Sequence, residues 1–428
     1  MVDFQQRVTA ASQILRSHSA SFTERGARIV RRARGMTAAR MQETRVPDTM
    51  RPRADDGFIA GVHFAGDEDS TYQLEQWLRP LEGLSAHLRD EFGVPRPLGI
   101  LCRSADHALT IAELTDLPVR FSRLSAGLTT FMSQSDLRIV FYVNQSMKNF
   151  QALRFPGPAH IHLSHGESEK VSMISNQLKA YDWVFTAGPA ARERISQRLI
   201  GMPETRMMDI GRPQLDEPRR TPAAWTSSSA AREAGPLVFV APTWEGDSPG
   251  MAYGTVDRSG VSLLSSLFDA GFRVLYRPHP RTGVVSPAAR RARQDCERLV
   301  ESRAGGFLDT TAGVGWQLDV ADAAVCEMSS VAFDWLATGR PLLMLRPADP
   351  RAEVIDGGLF DRARSLEADE AAEAGTVLRD VLADPAQARA LADELASHYL
   401  GPTGPGQQQS RFEDAAVWAV RLRTERKA

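Results

Sequence analysis

Lysine, cysteine and long apolar runs are all scarce in this chain. Only four of its 428 residues are lysine, so arginine carries almost all of its positive charge. Its three cysteines, Cys102, Cys296 and Cys326, stand far apart, and their spacing fits neither a disulfide framework nor a zinc motif. Cys102 and Cys326 lie in apolar segments typical of buried strands. This cysteine usage predicts a protein of the reducing cytosol.

The sequence also lacks the signals of membrane insertion and of secretion. No apolar run approaches the roughly 18 residues that a membrane-spanning helix needs, and the amino terminus has no apolar signal stretch. We therefore expect a cytoplasmic protein whose contact with the inner face of the cell membrane, if any, is peripheral. The formal net charge of −2 gives the whole molecule no general attraction to nucleic acid.

Residues 1–55 depart from this balance, because they contain eleven arginines against five acidic residues. Their pattern predicts a basic helical arm that ends in the proline-rich segment 46–53. One interpretation is a solvated or partly disordered tail. The other is an arm attracted to anionic lipid, since each basic residue near such a surface contributes roughly 1 kcal/mol.

Several motifs of common enzymes are missing. There is no P-loop and no GxGxxG after a predicted strand, so nothing supports the use of ATP or of a dinucleotide. A Gly-x-Ser-x-Gly hydrolase turn is also absent. Asp67-Glu68-Asp69 imitates the DxD of metal-dependent sugar transferases, but acidic residues before a helix also act as caps, and we favour that interpretation. We expect no cofactor and no metal ion.

From Phe58 onward, short apolar runs alternate with amphipathic helical stretches, which predicts parallel α/β sheets. A segment rich in Pro, Arg, Ala and Ser interrupts the alternation and is typical of an interdomain linker. Two Rossmann-like domains that face a cleft form a GT-B-like α/β architecture. The predicted units are a basic helical arm (1–55), an acceptor domain (56–216), the linker (217–235), a donor domain (236–400) and a carboxy-terminal helix that packs back (401–428).

Ligands of such sheets bind beyond the carboxyl ends of the strands, and histidines follow one of these ends. His160 and His162 lie in a predicted strand, and His165 lies beyond it in a Ser-His-Gly turn. An imidazole at this place can take a proton from a hydroxyl near neutral pH. The alternatives are a structural histidine and a zinc site, although only His160 and His162 share a strand face.

A second turn, Arg277-Pro278-His279-Pro280-Arg281, follows a predicted strand of the second half. Its prolines stiffen the backbone and remove N–H donors, so this segment is not the interior of a strand. Arg277 and Arg281 can bind phosphate through two N–H groups each, and His279 can donate to a phosphoryl oxygen. The alternative is a stiff turn whose arginines face solvent.

Two more strand ends carry polar residues. Glu327 and the pair Ser329-Ser330 follow the predicted strand 322–326 and open a helix, where hydroxyl and free N–H groups suit a phosphate. Serine is also a favoured helix cap, so this motif alone is equally consistent with no ligand. Thr243, after the first strand of the second half, can contact a phosphate or an acceptor, or belong to a plain polar loop.

In their order, these segments resemble the CDP-glycerol glycerophosphotransferase family, whose members prime or polymerise the glycerol phosphate chains of teichoic acids. The matching motifs are Ser164-His165-Gly166, Gly211-Arg212-Pro213-Gln214-Leu215-Asp216, Ala241-Pro242-Thr243-Trp244, Pro278-His279-Pro280 and Ser329-Ser330-Val331-Ala332-Phe333-Asp334. Two departures place the chain in a divergent branch. Glu327-Met328 stands where the family has Asp-Tyr, and Glu167-Ser168-Glu169-Lys170 stands where teichoic acid polymerases have Thr-Pro-Leu-Lys.

The resemblance implies an enzyme that moves glycerol phosphate, or a related phosphopolyol, from a CDP-activated donor to a hydroxyl group of a glycolipid or polymer, with release of CMP. It implies catalytic roles for His165, as general base, and His279. The implied phosphate-binding residues are Thr243, Arg277, Arg281, Ser329 and Ser330, and the supporting ones are Glu167, Lys170, Arg212, Glu327 and Asp334. Two alternatives stay open: a nucleotide-sugar glycosyltransferase of the same shape, and a non-catalytic nucleotide-binding scaffold.

Overall fold

The structure, a computed structural model, describes residues 41–67, 70–311 and 313–426. Most of the predicted basic arm, residues 1–40, therefore lies outside the described residues. In the described part, the strands form two parallel sheets that follow one another along the chain. We call each sheet, together with the helices packed on it, a lobe.

The first lobe contains a seven-stranded sheet in the order β3-β2-β1-β4-β5-β6-β7. These strands are β1 (Ala60–Phe64), β2 (Leu98–Cys102), β3 (Val119–Phe121), β4 (Ile139–Tyr142), β5 (Ala159–His162), β6 (Trp183–Thr186) and β7 (Met207–Asp209). The helices between them are α1 (Tyr72–Glu75), α2 (Leu78–Phe92), α3 (Ala105–Leu114), α4 (Ser125–Met132), α5 (Phe150–Leu153) and α6 (Pro189–Arg198).

The second lobe contains a six-stranded sheet in the order β10-β9-β8-β11-β12-β13. These strands are β8 (Leu237–Ala241), β9 (Arg273–Tyr276), β10 (Gly306–Leu308), β11 (Ala323–Cys326), β12 (Leu342–Leu345) and β13 (Arg364–Leu366). From residue 223 onward the helices are α7 (Ala223–Thr226), α8 (Ser229–Arg232), α9 (Val256–Asp269), α10 (Pro287–Glu301), α11 (Trp316–Val320), α12 (Ser330–Leu336), α13 (Leu359–Arg362), α14 (Ala374–Ala383), α15 (Pro385–Leu400) and α16 (Gln407–Glu425).

Short 3-10 helices complete the connections. They are Asp48–Met50, Met147–Asn149, Val171–Met173, Asn176–Ala180, Glu204–Arg206, Pro213–Leu215, Pro249–Met251 and Ala368–Glu373. None of the helices in the described ranges is both long and apolar enough to cross a membrane.

The central strands are buried on both faces because helices cover both sides of each sheet. Every residue of β1, β2 and β8 is buried, which explains why these strands read as continuous apolar runs rather than alternating ones. Helix α10 begins at Pro287, a residue suited to the first helical position, and the Ser286 hydroxyl caps the helix by accepting from the N–H of Ala289. The predicted GT-B-like α/β architecture is confirmed.

The segment between the sheets has a structure that its composition did not indicate. Residues 217–235 contain α7 and α8, and Trp225 of α7 is buried. Its ring lies edge-on to Phe307, at 5.2 Å between centroids, and 5.7 Å from Trp316. The segment is therefore packed on the second lobe.

The last helix, α16, returns to the first lobe. Phe412 contacts Trp77 and Phe141, with ring centroids at 5.4 and 5.7 Å. Before it, Tyr399 of α15 is buried in a cluster that also contains Ala187 and Ala190 of the first lobe. The two helices that lead from the second lobe back to the first, α15 and α16, are thus both fixed by apolar packing.

Candidate active site

The strand order of each sheet identifies one edge as the place for a ligand. The order reverses between β1 and β4 in the first sheet and between β8 and β11 in the second, and open parallel sheets bind ligands beyond the carboxyl ends of strands at such reversals. The predicted segments follow β5, β8, β9 and β11, so they lie at these edges or beside them.

The Ser-His-Gly turn after β5 has an unusual backbone. Ser164 has φ of 63°, which makes it the one non-glycine residue with positive φ in the described ranges. Its carbonyl oxygen accepts a hydrogen bond of 2.8 Å from Nε1 of the buried Trp77. A left-handed residue other than glycine is strained and persists only when its surroundings hold it, and such residues cluster at functional sites. The strained turn orients His165.

His165 is partly buried and neutral at neutral pH. Its ring lies edge-on to that of Tyr72, at 6.2 Å between centroids, and its Nδ1 atom is buried with no hydrogen-bond partner among the described residues. Burial, together with the positive charge of Arg212, lowers the pKa of His165 to about 4. An imidazole in this state can accept a proton.

His279, in the Pro-His-Pro turn after β9, presents a defined ring nitrogen. Its Nδ1 accepts from the backbone N–H of Arg281 at 3.1 Å, so the neutral ring carries its proton on Nε2. Burial lowers the pKa of His279 to about 4, and Lys170, Arg281 and Arg277 add to this effect. The ring stacks on Trp244 at 6.4 Å, and the Arg281 guanidinium lies 3.8 Å from the centroid of the same indole. Nε2–H is thus available as a donor.

Arg277 makes contacts within its own lobe. Its guanidinium forms an ion pair of 2.7 Å with the fully buried carboxylate of Asp309 and lies 3.2 Å from the hydroxyl of Thr311. These contacts hold the end of β9 against the segment after β10. Arg281, by contrast, is exposed, and its guanidinium lies over the indole ring of Trp244.

The serine pair after β11 faces the first lobe. Ser329 directly precedes α12, yet its hydroxyl caps no N–H group, and Oγ is buried without a partner among the described residues. The Ser329 hydroxyl therefore does not act as the cap of this helix. A methyl group placed on Gly166 would lie 3.1 Å from Cβ of Ser330, so the Ser-His-Gly turn and the serine pair are in contact across the cleft.

Glu327, which follows β11, connects the end of that strand to the segment after β8. One of its carboxylate oxygens accepts from the N–H of Thr243 at 2.8 Å, and the other accepts from the N–H and hydroxyl of Thr255 at 2.8 and 2.6 Å. Burial raises the pKa of Glu327 to about 7, although these hydrogen bonds and Lys170 oppose the shift. Glu327 and Thr243 therefore form one framework at the β8–β11 reversal.

Two further pairs of predicted residues connect the lobes. Nε of Arg212 lies 3.0 Å from the carboxylate of Asp334 in α12, and both side chains are largely buried. Nζ of Lys170 lies 3.3 Å from Oγ1 of Thr243. Glu167 instead pairs with Arg194 within the first lobe. Burial raises the pKa of Glu167, and Arg194 opposes this.

Some residues of the site were not singled out from the sequence. Glu169 accepts from the N–H of Leu359 and the hydroxyl of Tyr399, both at 2.8 Å, and so joins the lobes. The carboxylate of Glu245 accepts from the N–H groups of three residues after the Pro-His-Pro turn (Gly283, Val285 and Ser286) at 2.9 to 3.1 Å. Glu169 lies inside a motif singled out from the sequence, and Glu245 directly follows one that ends at Trp244.

The histidines of β5 do not form a metal site. His160 has both ring nitrogens occupied, by the Tyr142 hydroxyl and the Phe155 carbonyl oxygen, each at 2.8 Å. Burial lowers the pKa of His162 to about 3. Within the described ranges, no cluster of three His, Cys, Asp or Glu residues is arranged to hold a metal ion. Of the acidic triplet, only Asp67 is described, and it pairs with Lys148 at 2.9 Å.

A small cavity of about 40 Å³ lies under the Ser-His-Gly turn. Its lining includes Trp77, Glu167, Arg194 and Arg212. This volume holds a few water molecules at most.

The two facing parallel sheets and the cleft between their reversal points define a protein of the GT-B type. Residues 159–348 match the sequence model of the family described as CDP-Glycerol:Poly(glycerophosphate) glycerophosphotransferase. The resemblance that the motifs indicate is therefore confirmed, and the matched segment contains every candidate site residue. No curated protein matches the chain in sequence.

Solved structures share the fold at low sequence identity. The wall teichoic acid polymerase TagF is 14% identical, with a TM-score of 0.54 over 88% of this chain and 91% of that chain. A variant of TagF gives a TM-score of 0.56 at 13% identity over 88% of this chain and 91% of that chain. A glycosyltransferase from Rickettsia africae is 9% identical, with a TM-score of 0.53 over 85% of this chain and 99% of that chain.

Proposed function

We propose that this protein transfers glycerol phosphate, or a related phosphopolyol, from a CDP-activated donor to a hydroxyl acceptor and releases CMP. The acceptor class we propose is a glycolipid or polymer of the cell wall or capsule. Residues 56–216 would bind the acceptor and residues 236–400 the donor. The family match over residues 159–348 supports this reaction class.

On the acceptor side, His165 would act as the general base. Its ring is neutral at neutral pH and sits on a strained turn that faces the second lobe. It would take the proton of the acceptor hydroxyl while that oxygen attacks the phosphorus atom that bears the polyol. Such assistance contributes roughly 10²–10⁴-fold to rate.

On the donor side, several groups would bind phosphoryl oxygens. They are Nε2–H of His279, the hydroxyls of Ser329 and Ser330, and the guanidinium of Arg281. Preorganised donors of this kind stabilise the charge that develops on a transferring phosphoryl group. Arg277 would act by positioning the turn, since its charge is paired with Asp309.

The observation that carries the proposal is the contact between the Ser-His-Gly turn and the serine pair. A base from one lobe and hydroxyls from the other can meet a single substrate only if the lobes bring them together. Gly166, which directly follows His165 in the chain, is at van der Waals distance from Ser330, and this contact supports a substrate shared by the base and the hydroxyls.

A product-release screen tests the function. The purified protein would be incubated with CDP-glycerol, CDP-ribitol, UDP-sugars and GDP-sugars, and free CMP, UDP and GDP would be measured. We expect CMP from a CDP-polyol and no release by the variant His165→Ala/His279→Ala. UDP or GDP release would favour the glycosyltransferase alternative, and binding of CDP without any turnover would favour the scaffold.

We also propose that the amino-terminal arm contacts the inner face of the cell membrane through its arginines. The test is flotation with anionic and neutral vesicles, comparing the full chain with a variant that lacks residues 1–40. The truncation stops there because Val46 is part of the first-lobe core and Glu43 pairs with Arg123. Equal partitioning of the two proteins onto anionic vesicles would contradict the proposal.

A further inference from the structure

Lys170 reaches from the first lobe into the second. It follows His165 by five residues, and its ammonium lies 3.3 Å from Oγ1 of Thr243 and 5.5 Å from the centre of the Tyr253 ring. Both of these partners belong to the second lobe, in the segment after β8. The ammonium therefore lies between the two lobes.

This ammonium is partly buried and has no ion-pair partner among the described residues. Glu327 and Asp247 are the acidic groups that face it. The carboxylate of Glu327 is occupied by the N–H of Thr243 and by Thr255. A hydroxyl at 3.3 Å is a weak partner for a cation withdrawn from water, and such a cation is stabilised when an anion joins it.

The groups around Lys170 suit an anion. Its partner Thr243 directly precedes Trp244, on which the ring of His279 stacks. The charge of Lys170 also contributes to the lowered pKa of His279. His279 offers an N–H donor there, and the Ser329 hydroxyl has no partner among the described residues. A charge, an N–H and a hydroxyl, each from a different segment at the ends of these strands, are the components of a phosphoryl site.

We propose that the ammonium of Lys170 binds the phosphoryl group that is transferred, the one equivalent to the β-phosphate of CDP. This inference rests on the proposed function. In the step, the bond between the acceptor oxygen and this phosphorus forms, and the bond from the phosphorus to the bridging oxygen breaks. That oxygen leaves with its electron pair on CMP, and the acceptor proton goes to His165. Lys170 keeps its protons and balances charge throughout.

Because Lys170 belongs to the first lobe, its contact would let both lobes bind the same donor. A donor that carries only one phosphate would not reach it. Lys170 would thereby distinguish a nucleoside diphosphate from a nucleoside monophosphate, and the product CMP would lose this contact when the phosphoryl group has moved.

Titration calorimetry with CDP and with CMP tests the contact without turnover. We expect Lys170→Met to weaken CDP binding about tenfold or more, with little change for CMP, since charge-assisted hydrogen bonds are worth roughly 1.5–3 kcal/mol. Lys170→Arg should retain part of the preference for CDP over CMP. Lys179→Met, a lysine of the same lobe outside the site, is the matched control and should bind like the wild type. Equal CDP affinity in Lys170→Met and wild type, or no CDP binding by wild type, would overturn the inference.

The pH dependence of turnover gives a second measurement. Burial lowers the pKa of Lys170 to about 8, although Glu327 and Asp247 oppose this; His279 and Tyr253 also face it. The cation is lost as pH rises through this value, so kcat/KM of the wild type should fall above about pH 8. In Lys170→Arg this fall in kcat/KM should shift to higher pH, because guanidinium keeps its charge. An unshifted fall would count against the inference, since a purely structural brace would not change it.

The two proposals fail differently. If the wild type binds CDP but releases no CMP from any CDP-polyol, the proposed function is wrong, and the calorimetric comparison still decides whether Lys170 contacts the second phosphate. If CMP is released and Lys170→Met matches the wild type in CDP affinity, the function stands and the role of Lys170 is wrong.

Discussion

Gly166 and Ser330 approach each other so closely across the cleft that a methyl group on the glycine would lie 3.1 Å from Cβ of the serine. The separation leaves no room for a larger residue at position 166 unless a neighbour shifts. Gly166 itself does not have positive φ, so its backbone would accept alanine. The requirement for glycine here comes from contact between the lobes.

We predict that Gly166→Ala lowers CMP release about tenfold while the protein remains folded. The added methyl group would hold the Ser-His-Gly turn a few tenths of an ångström from the serine pair, and small misplacements of reacting groups are costly. The measurement is kcat with a CDP-polyol, next to a thermal unfolding curve.

The control is a double variant. Ser330→Gly removes the opposing Cβ. Gly166→Ala should therefore lower kcat by a smaller factor in the Ser330→Gly background than in the wild type. If Gly166→Ala lowers kcat by the same factor in both backgrounds, contact with Ser330 is not the cause of the loss.

The sequence was informative about the site because functional groups of parallel sheets follow strand ends. A strand rich in apolar residues followed by a polar turn marks such an edge, and the turns of His165 and His279 were found in this way. Strands β3, β10 and β13, of three residues each, contain no long apolar run and were not predicted.

Contacts between distant segments could not be predicted. Glu169 and Tyr399 are 230 positions apart, and no local pattern tells that they share a hydrogen bond. The same holds for Arg277, whose motif suggested a phosphate ligand and whose guanidinium forms an ion pair with Asp309, 32 positions later. Local chemistry identifies candidates, and packing decides which partner each one finds.

We predict that His165→Ala lowers kcat by roughly 10²–10⁴-fold, the range expected for loss of a general base. CDP affinity should change little, because the proposed donor contacts belong to the second lobe and to Lys170. Single-turnover CMP release and calorimetry with CDP are the measurements. His87→Ala is the matched control, since this histidine lies on α2 with 40% of its side chain exposed. Wild-type turnover by His165→Ala would exclude it as the base.

The buried histidine of β1 should make folding sensitive to acid. Burial lowers the pKa of His63 to about 3, with a smaller contribution from Arg103, against the ordinary 6.5. The unfolded chain therefore binds a proton below pH 6.5 that the folded chain excludes, so stability is lost as pH falls from 6.5 toward about 3. The loss is about 1.4 kcal/mol for each pH unit in this window.

Urea unfolding at about pH 6.5 and about pH 5 would measure this effect. His63→Leu removes the titrating group at similar volume, so its unfolding free energy should fall less on acidification than that of the wild type. His87→Leu should follow the wild type. Because Glu327 and other buried groups titrate in all three proteins, only the difference in slope is interpreted. Parallel slopes for His63→Leu and wild type would contradict the assignment.

The ion pair between Arg212 and Asp334 should stabilise the contact between the lobes. The side chains are 6% and 15% exposed, and Nε of Arg212 lies 3.0 Å from the carboxylate. Asp334→Ala leaves a buried guanidinium without its partner, and we expect it to cost about 3–5 kcal/mol of unfolding free energy.

The matched control is Asp393→Ala, which breaks the exposed pair with Arg389 on α15 and should cost no more than about 0.5 kcal/mol. In Arg212→Met/Asp334→Leu both charges are gone, so most of the loss should be recovered. If Asp334→Ala were as mild as Asp393→Ala, the pair would not hold the lobes together, and the orientation of His165 toward Ser330 would have to depend on the apolar packing of α15 and α16 instead.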